Sequence, residues 1–114
     1  MLLCALSGFA GPNSPVVGKW DCVSRSDATG MEVAWSMFVS ADGEKLSGYA
    51  VFKETGDRID LADMALHENT LTFKVVVNAE ETVELTGRID GARIEGTFKG
   101  KAAGTGTFKG SRQG

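Results

Sequence analysis

The fold class is decided by the stretch Met31-Glu32-Val33-Ala34-Trp35-Ser36-Met37-Phe38-Val39-Ser40. Its odd positions are all large and apolar, and its even positions are polar or small except for Phe38. Because successive side chains of a β-strand point to opposite faces, this period of two predicts a strand with one buried face. The 3.6-residue period of an amphipathic helix appears neither here nor elsewhere in the chain.

The same alternation recurs on both sides of this stretch and is interrupted by short turns. One run begins at Gly18, and six more follow at 45–53, 58–66, 71–77, 83–89, 94–98 and 106–112. The turns contain pairs typical of hairpins, such as Asp42-Gly43 and Asp90-Gly91. At Ala62-Asp63 the alternation skips one position, which predicts a β-bulge. The chain therefore contains eight short strands in hairpin succession.

Eight such strands are compatible with an open meander, a sandwich or a closed barrel. Closure removes both exposed edges, and an even number of strands lets the last strand pair antiparallel with the first. Glycines at inward positions suit the sharp coiling of a small barrel; they are Gly48, Gly87, Gly96, Gly104 and Gly106. We predict an all-β fold, an eight-stranded antiparallel up-and-down meander barrel without a significant helix, in one domain over residues 16–114.

Composition agrees with a single globular domain and narrows the classes of partner. The 114 residues are 42% hydrophobic and 24% charged, and 15 glycines stand against 2 prolines. The net charge of −3 argues against binding to nucleic acid.

Residues 1–15 differ from the rest because they carry no charge. The apolar run Leu2-Leu3-Cys4-Ala5-Leu6, followed by Gly8-Phe9-Ala10, is similar to the second half of a secretory signal peptide with its cleavage site. This interpretation predicts a secreted or periplasmic protein. A frayed N-terminal tail is an equal alternative, since the basic start of a signal is missing. The run is too short to span a bilayer.

Gly18-Lys19-Trp20 on the first strand and Arg112 on the last resemble the calycin pattern of lipocalins and their relatives, including short bacterial lipocalin-like domains. In those barrels the glycine-x-tryptophan motif and a late basic residue pack together, which implies that Trp20 and Arg112 close one end here. Residues 18–20 and 40–48 are also similar to the opening of avidin and streptavidin. The later tryptophans that enclose biotin are missing, so biotin binding is not implied.

If one end is closed, a ligand would enter at the other, where we expect longer loops at 26–30, 54–57, 78–81 and 100–104. Seven inward residues near that end form the candidate site for a small apolar ligand: Met31, Val33, Trp35, Phe52, Val75, Val83 and Phe98. The alternative, which the many large inward residues favour, is a solid barrel that serves as an interaction or accessory domain.

A second candidate surface lies on the outer wall. Val23, Phe38, Tyr49 and Val51 occupy outward positions on strands 1 to 3, which are neighbours in a meander. A contiguous apolar patch often marks an interface, here with a second copy or a partner domain. Coverage of the patch by residues 2–17 is an equal alternative.

Residues able to perform chemistry are few, and their spacing predicts no site. His67 is the only histidine and sits in a turn beside Glu68, while Cys22 points inward beside Trp20. Asp57, Asp60 and Asp63 lack the spacing of a calcium loop. The basic residues of the last strands, Arg88, Arg93, Lys99 and Lys109, alternate with polar ones and predict a solvated face. We therefore predict a non-catalytic protein without metal or cofactor.

Overall fold

The computed structural model describes residues 16–113, and these form eight β-strands. The strands are β1 (Gly18–Ser26), β2 (Glu32–Asp42), β3 (Lys45–Phe52), β4 (Arg58–His67), β5 (Thr70–Asn78), β6 (Glu81–Asp90), β7 (Arg93–Gly100) and β8 (Gly104–Arg112). Each strand pairs antiparallel with the next, and β8 pairs with β1 to close the barrel. The predicted eight-stranded up-and-down barrel is confirmed. The proposed leader at 1–15 lies outside the described residues.

The two ends of the barrel differ in their connections. At the end where β1 begins, three two-residue turns join the strands, and their backbones take positive φ angles: Gly43 (64°), Glu68 (50°), Asn69 (68°) and Gly91 (62°). At the opposite end, loops of three to five residues connect three of the hairpins. The expectation of a fourth longer loop at 78–81 is wrong, because β5 and β6 are joined by the tight turn Ala79-Glu80.

The predicted irregularity in β4 is present. The pairing with β5 shifts between Ala62 and Ala65, and Asp63 takes a φ of 51°. The bulge inserts one residue, so that Met64 and Leu66 again pack against the core after it.

The inward glycines let neighbouring strands approach closely. A Cβ atom on Gly96 would overlap the carbonyl oxygen of Thr86, and one on Gly106 would overlap the ring of Phe98. The backbone of β6 therefore lies against Gly96 of β7, and the ring of Phe98 of β7 lies across Gly106 of β8.

The half of the barrel near the β1 start is filled with side chains. Trp20, Met37, Leu71 and Ile94 are completely buried there. The indole N–H of Trp20 donates to the carbonyl oxygen of Val16 at 2.9 Å, and Val16 is itself fully buried. This end, the closed end from here on, is plugged by residues from both sides of the β1 start. Among the residues described, no helix is long and apolar enough to cross a membrane.

Candidate functional site

The other end of the barrel, the mouth, opens into a cavity of about 410 Å³. All seven residues of the predicted ligand site line it. The remaining lining residues are Ser24, Ser26, Thr29, Ala50, Val77, Leu85 and Ala103. This half of the barrel therefore contains a cavity, unlike the half near the β1 start. The alternative of a solid barrel that serves as an interaction or accessory domain stays a prediction.

The exposure of the lining side chains increases from the floor of the cavity to its rim. Trp35, Ala50 and Leu85 at the floor are at most 5% exposed. Met31, Val33 and Val77 at the rim are 68%, 43% and 49% exposed. An exposed apolar rim above a buried apolar floor is the form of a small-molecule pocket, and the volume falls within the usual range for such pockets.

Three aromatic rings separate the cavity from the filled half. The centroid of the Trp35 ring lies 6.5 Å from that of Phe73 and 6.0 Å from that of Phe108, and the last two are 6.2 Å apart. Tilted and edge-on packing at these distances is favourable for aromatic pairs. Trp35 therefore lines the floor of the cavity, and the rings of Phe73 and Phe108 pack against it from the filled half.

The polar groups of the cavity lie along β1 and the loop that follows it. Ser24 and Ser26 occupy the inward positions of β1 after Trp20 and Cys22. The Ser24 hydroxyl accepts a hydrogen bond from the indole N–H of Trp35 at 2.8 Å. Thr29 belongs to the loop, where its hydroxyl accepts from the backbone N–H of Met31 at 3.1 Å. None of the described residues that line the cavity is charged.

Glu81 fixes the loop between β7 and β8 at the rim. Glu81 is a buried residue, and its carboxylate accepts hydrogen bonds from the backbone N–H groups of Ala102 and Ala103 at 2.8 to 3.0 Å. These backbone N–H donors, Ala102 first, hold the pKa of Glu81 below its ordinary value. Because Ala103 lines the cavity, Glu81 sets one side of the mouth.

Sequence reasoning missed Ser24, Ser26, Thr29 and Glu81. Ser24 and Ser26 share the inward parity of Trp20, and Glu81 shares that of Val83 and Leu85. Polar residues at inward positions near the mouth were the available signal. Thr29 lies in a loop, where no period shows which way a side chain points.

The residues expected to close the barrel lie together at the closed end. The guanidinium carbon of Arg112 lies 5.7 Å from the centroid of the Trp20 ring, and its Nη1 donates to the carbonyl oxygen of Val17 at 3.5 Å. Gly18 has a φ of 130°, and the aliphatic part of Arg112 passes over it. A side chain at position 18 would be strained in this backbone conformation.

The predicted outer patch is present on neighbouring strands but is not bare. Its members Val23, Phe38, Tyr49 and Val51 are all half-buried. Phe38 and Tyr49 stack at 4.8 Å, and two cations flank the pair: the Arg58 guanidinium lies 3.8 Å from the Tyr49 centroid, and the Lys19 Nζ lies 5.7 Å from the Phe38 centroid. An interface with a second copy or a partner domain stays a prediction.

The other candidate residues are scattered. His67 is exposed at the closed end, with its Nε2 3.6 Å from a carboxylate oxygen of Glu68. Cys22 is buried, and burial raises the pKa of its thiol to about 12. Asp60 and Asp63 form separate ion pairs with Arg58 and Lys74. Within residues 16–113 no group of histidine, cysteine and acidic side chains could hold a metal ion.

Comparison of the chain with protein-family models and with curated proteins gives no match. The cavity and the residues that line it are therefore the features that bear on function.

Proposed function

We propose that the protein is a non-catalytic, lipocalin-like binding protein that holds a small apolar ligand in the cavity at the mouth. The cavity carries this proposal: about 410 Å³, lined by aliphatic and aromatic side chains, with its buried floor below an exposed rim. Transfer of an apolar ligand from water to such a wall is favourable in proportion to the apolar area that it buries.

Two further observations support the proposal. The contact between Trp20 and Arg112 at the closed end is what the calycin resemblance implies. The hydroxyls along β1 lack a neighbouring base among the described lining residues, so we assign them to binding and not to acid–base chemistry. Because residues 1–15 are similar to part of a secretory signal peptide, we further propose that the protein is secreted or periplasmic.

A neutral environment-sensitive dye such as Nile red tests binding directly. The wild-type protein should raise the dye's fluorescence with saturation at one dye per chain. Val83→Asp places a charge in the apolar wall, and it should weaken dye binding at least about tenfold because a buried unpaired carboxylate is costly. Thr82→Asp is the matched control, because Thr82 is the exposed neighbour on the same strand.

Circular dichroism should show that both variants keep the barrel. A folded Val83→Asp protein that binds the dye as tightly as the Thr82→Asp protein would exclude the cavity as the site. Failure of the wild-type chain to bind any of a panel of apolar dyes and lipids in native mass spectrometry would overturn the proposed function.

A further inference from the structure

All of the side-chain oxygen atoms of the cavity lie on one wall. Ser24 and Ser26 come from β1 and Thr29 from the following loop, while the lining residues from β2 to β7 carry no side-chain oxygen. The indole N–H of Trp35 is already donated to Ser24. A ligand in this cavity therefore meets hydroxyls on one side and hydrocarbon on the others.

In each of the three hydrogen bonds of this wall, the hydroxyl oxygen is the acceptor. The Ser24 hydroxyl accepts a hydrogen bond from the indole N–H of Trp35 at 2.8 Å. The Ser26 hydroxyl accepts one from the backbone N–H of Thr29 at 3.4 Å. The Thr29 hydroxyl accepts one from the backbone N–H of Met31 at 3.1 Å. A hydroxyl has one proton to donate besides the lone pairs that accept. Among residues 16–113 the structure gives no acceptor for these three protons, so each is available to a ligand.

Of the three hydroxyls, Ser24 lies deepest in the cavity and accepts the shortest hydrogen bond, at 2.8 Å. It lies one inward position deeper than Ser26 and is half-buried, whereas Thr29 is exposed. A hydroxyl that accepts a hydrogen bond is polarised and donates more strongly, and the effect is larger away from water. The indole of Trp35 thus prepares the Ser24 proton for an acceptor on the ligand.

The lack of charge in the lining restricts the ligand further. A carboxylate or ammonium group moved into this cavity would lose its water without meeting a counter-charge, which is unfavourable. A neutral oxygen loses much less on burial and recovers it through one hydrogen bond.

We infer that the ligand is an uncharged, largely apolar molecule with a neutral hydrogen-bond acceptor, such as a ketone, aldehyde or ester carbonyl, and that Ser24 donates to that acceptor. This inference rests on the proposed function. Ser24 is then the residue that determines specificity, and Trp35 positions and polarises it.

A set of diphenyl compounds of the same shape tests the inference, with affinities measured by displacement of Nile red. Benzophenone has the neutral acceptor, diphenylmethane has none, diphenylacetate is an anion and benzhydrylamine is a cation. Benzophenone should bind about fivefold more tightly than diphenylmethane, the gain expected from one neutral hydrogen bond. Both charged compounds should bind more weakly than diphenylmethane.

Ser24→Ala alone would free the indole N–H of Trp35 to donate to the ligand, so the Ser24 variants are made in a Trp35→Phe background. In that background Ser24→Ala should abolish the preference for benzophenone and leave the affinity for diphenylmethane unchanged. Ser24→Thr restores a hydroxyl on a strand-compatible side chain and should restore the preference. Ser47→Ala is the control, because Ser47 is an exposed serine on β3 that does not line the cavity. A preference that persists in Ser24→Ala would overturn the role of Ser24.

Infrared spectroscopy supplies a measurement that needs no variant. The carbonyl stretch of benzophenone bound to the wild-type protein should shift to lower frequency than in a hydrocarbon solvent. Equal binding of benzophenone and diphenylmethane with an unshifted carbonyl would overturn the inference while the proposed function stands. Failure of all the compounds and of the dye to bind would instead overturn the proposed function.

Discussion

Arg112 stabilises the closed end through both parts of its side chain. Its aliphatic stem passes over Gly18, and its guanidinium lies near the Trp20 ring and the carbonyl oxygen of Val17. A half-buried arginine can cover apolar surface with its stem while its charged end stays hydrated. The residue thus joins the last strand to the segment that precedes the first.

Replacement of Arg112 should weaken the fold without affecting the cavity. We expect Arg112→Met to keep the apolar stem and to lower the free energy of unfolding by about 0.5–1 kcal/mol, the value of a partly exposed cation–π contact. Urea denaturation measures this change, with Lys109→Met, an exposed position on the same strand, as the control. Affinity for Nile red should not change. A variant as stable as the control would contradict a structural role for the guanidinium.

Glu81 should make the loop between β7 and β8 sensitive to acid pH. Its pKa is lower in the folded protein than in the unfolded chain, so its stabilising effect is complete above the ordinary pKa of a glutamate and is lost as the pH falls through the folded value. We expect the amide resonances of Ala102 and Ala103 to titrate together in this acidic range and their hydrogen exchange to accelerate there.

In the Glu81→Gln variant, the amide resonances of Ala102 and Ala103 should no longer titrate in acid. In the control variant Glu84→Gln, at an exposed position on the same strand, the same two resonances should still titrate. Amide resonances that do not move between roughly pH 7 and pH 2 would show that Glu81 does not hold the loop.

Strands β6, β7 and β8 pack closely because each contributes an inward glycine to their contacts. Gly96 pairs with Gly87 on β6 and with Phe108 on β8. The ring of Phe108 and the side chain of Ile94 come close to the space where Gly87 would carry a Cβ. Gly87 thus makes room for Phe108, which packs against Trp35 at the floor of the cavity.

Addition of one methyl group at Gly96 tests this arrangement. Alanine is ordinarily preferred to glycine in a strand, but here its Cβ would overlap the carbonyl oxygen of Thr86, which cannot move without loss of strand pairing. We expect Gly96→Ala to lower the free energy of unfolding by about 1–3 kcal/mol, as overpacking does. Thr97→Ala, at the exposed neighbouring position, should change it by less than about 0.5 kcal/mol. Equal stability of the two variants would contradict the close approach of β6 and β7.

Most of the strands could be predicted from the sequence, because their alternation states directly which side chains face inward. The bulge in β4 appeared for the same reason, as a skipped position at Ala62-Asp63. The tight turn Ala79-Glu80 could not be predicted, because it contains none of the glycine or asparagine residues that mark such turns. The hydrogen bond from Trp35 to Ser24 joins residues on different strands, and a period within one strand cannot show it.

The inward residues of the barrel could be counted from the sequence, but the volume of the space between them could not be predicted. The barrel is full near Trp20 and Met37 and empty near Phe52 and Val83, although both sets alternate in the same way. The free volume depends on strand tilt and on how far each side chain reaches across the barrel. The residues of the candidate site could therefore be named, whereas their enclosure of a cavity could not.

The floor of the cavity offers a substitution that separates binding from stability. Ala50 is buried and lines the cavity, so Ala50→Leu should place apolar atoms in empty space. We expect the free energy of unfolding to stay equal or to rise by up to about 1 kcal/mol, while Nile red affinity falls at least about tenfold. Ala65→Leu on β4 is the exposed control. A stable Ala50→Leu protein with undiminished dye affinity would place the dye outside the cavity.

The pairing of β8 with β1 makes the strand order circular, so no strand is first or last in the hydrogen-bonded ring. Both the start of β1 and the end of β8 leave from the face opposite the mouth. A short peptide joining these two points, combined with a new chain break in the turn Gly91-Ala92, would preserve every neighbour of every strand. Circular permutation and fusion to a carrier domain should therefore both be tolerated, with the cavity left unobstructed.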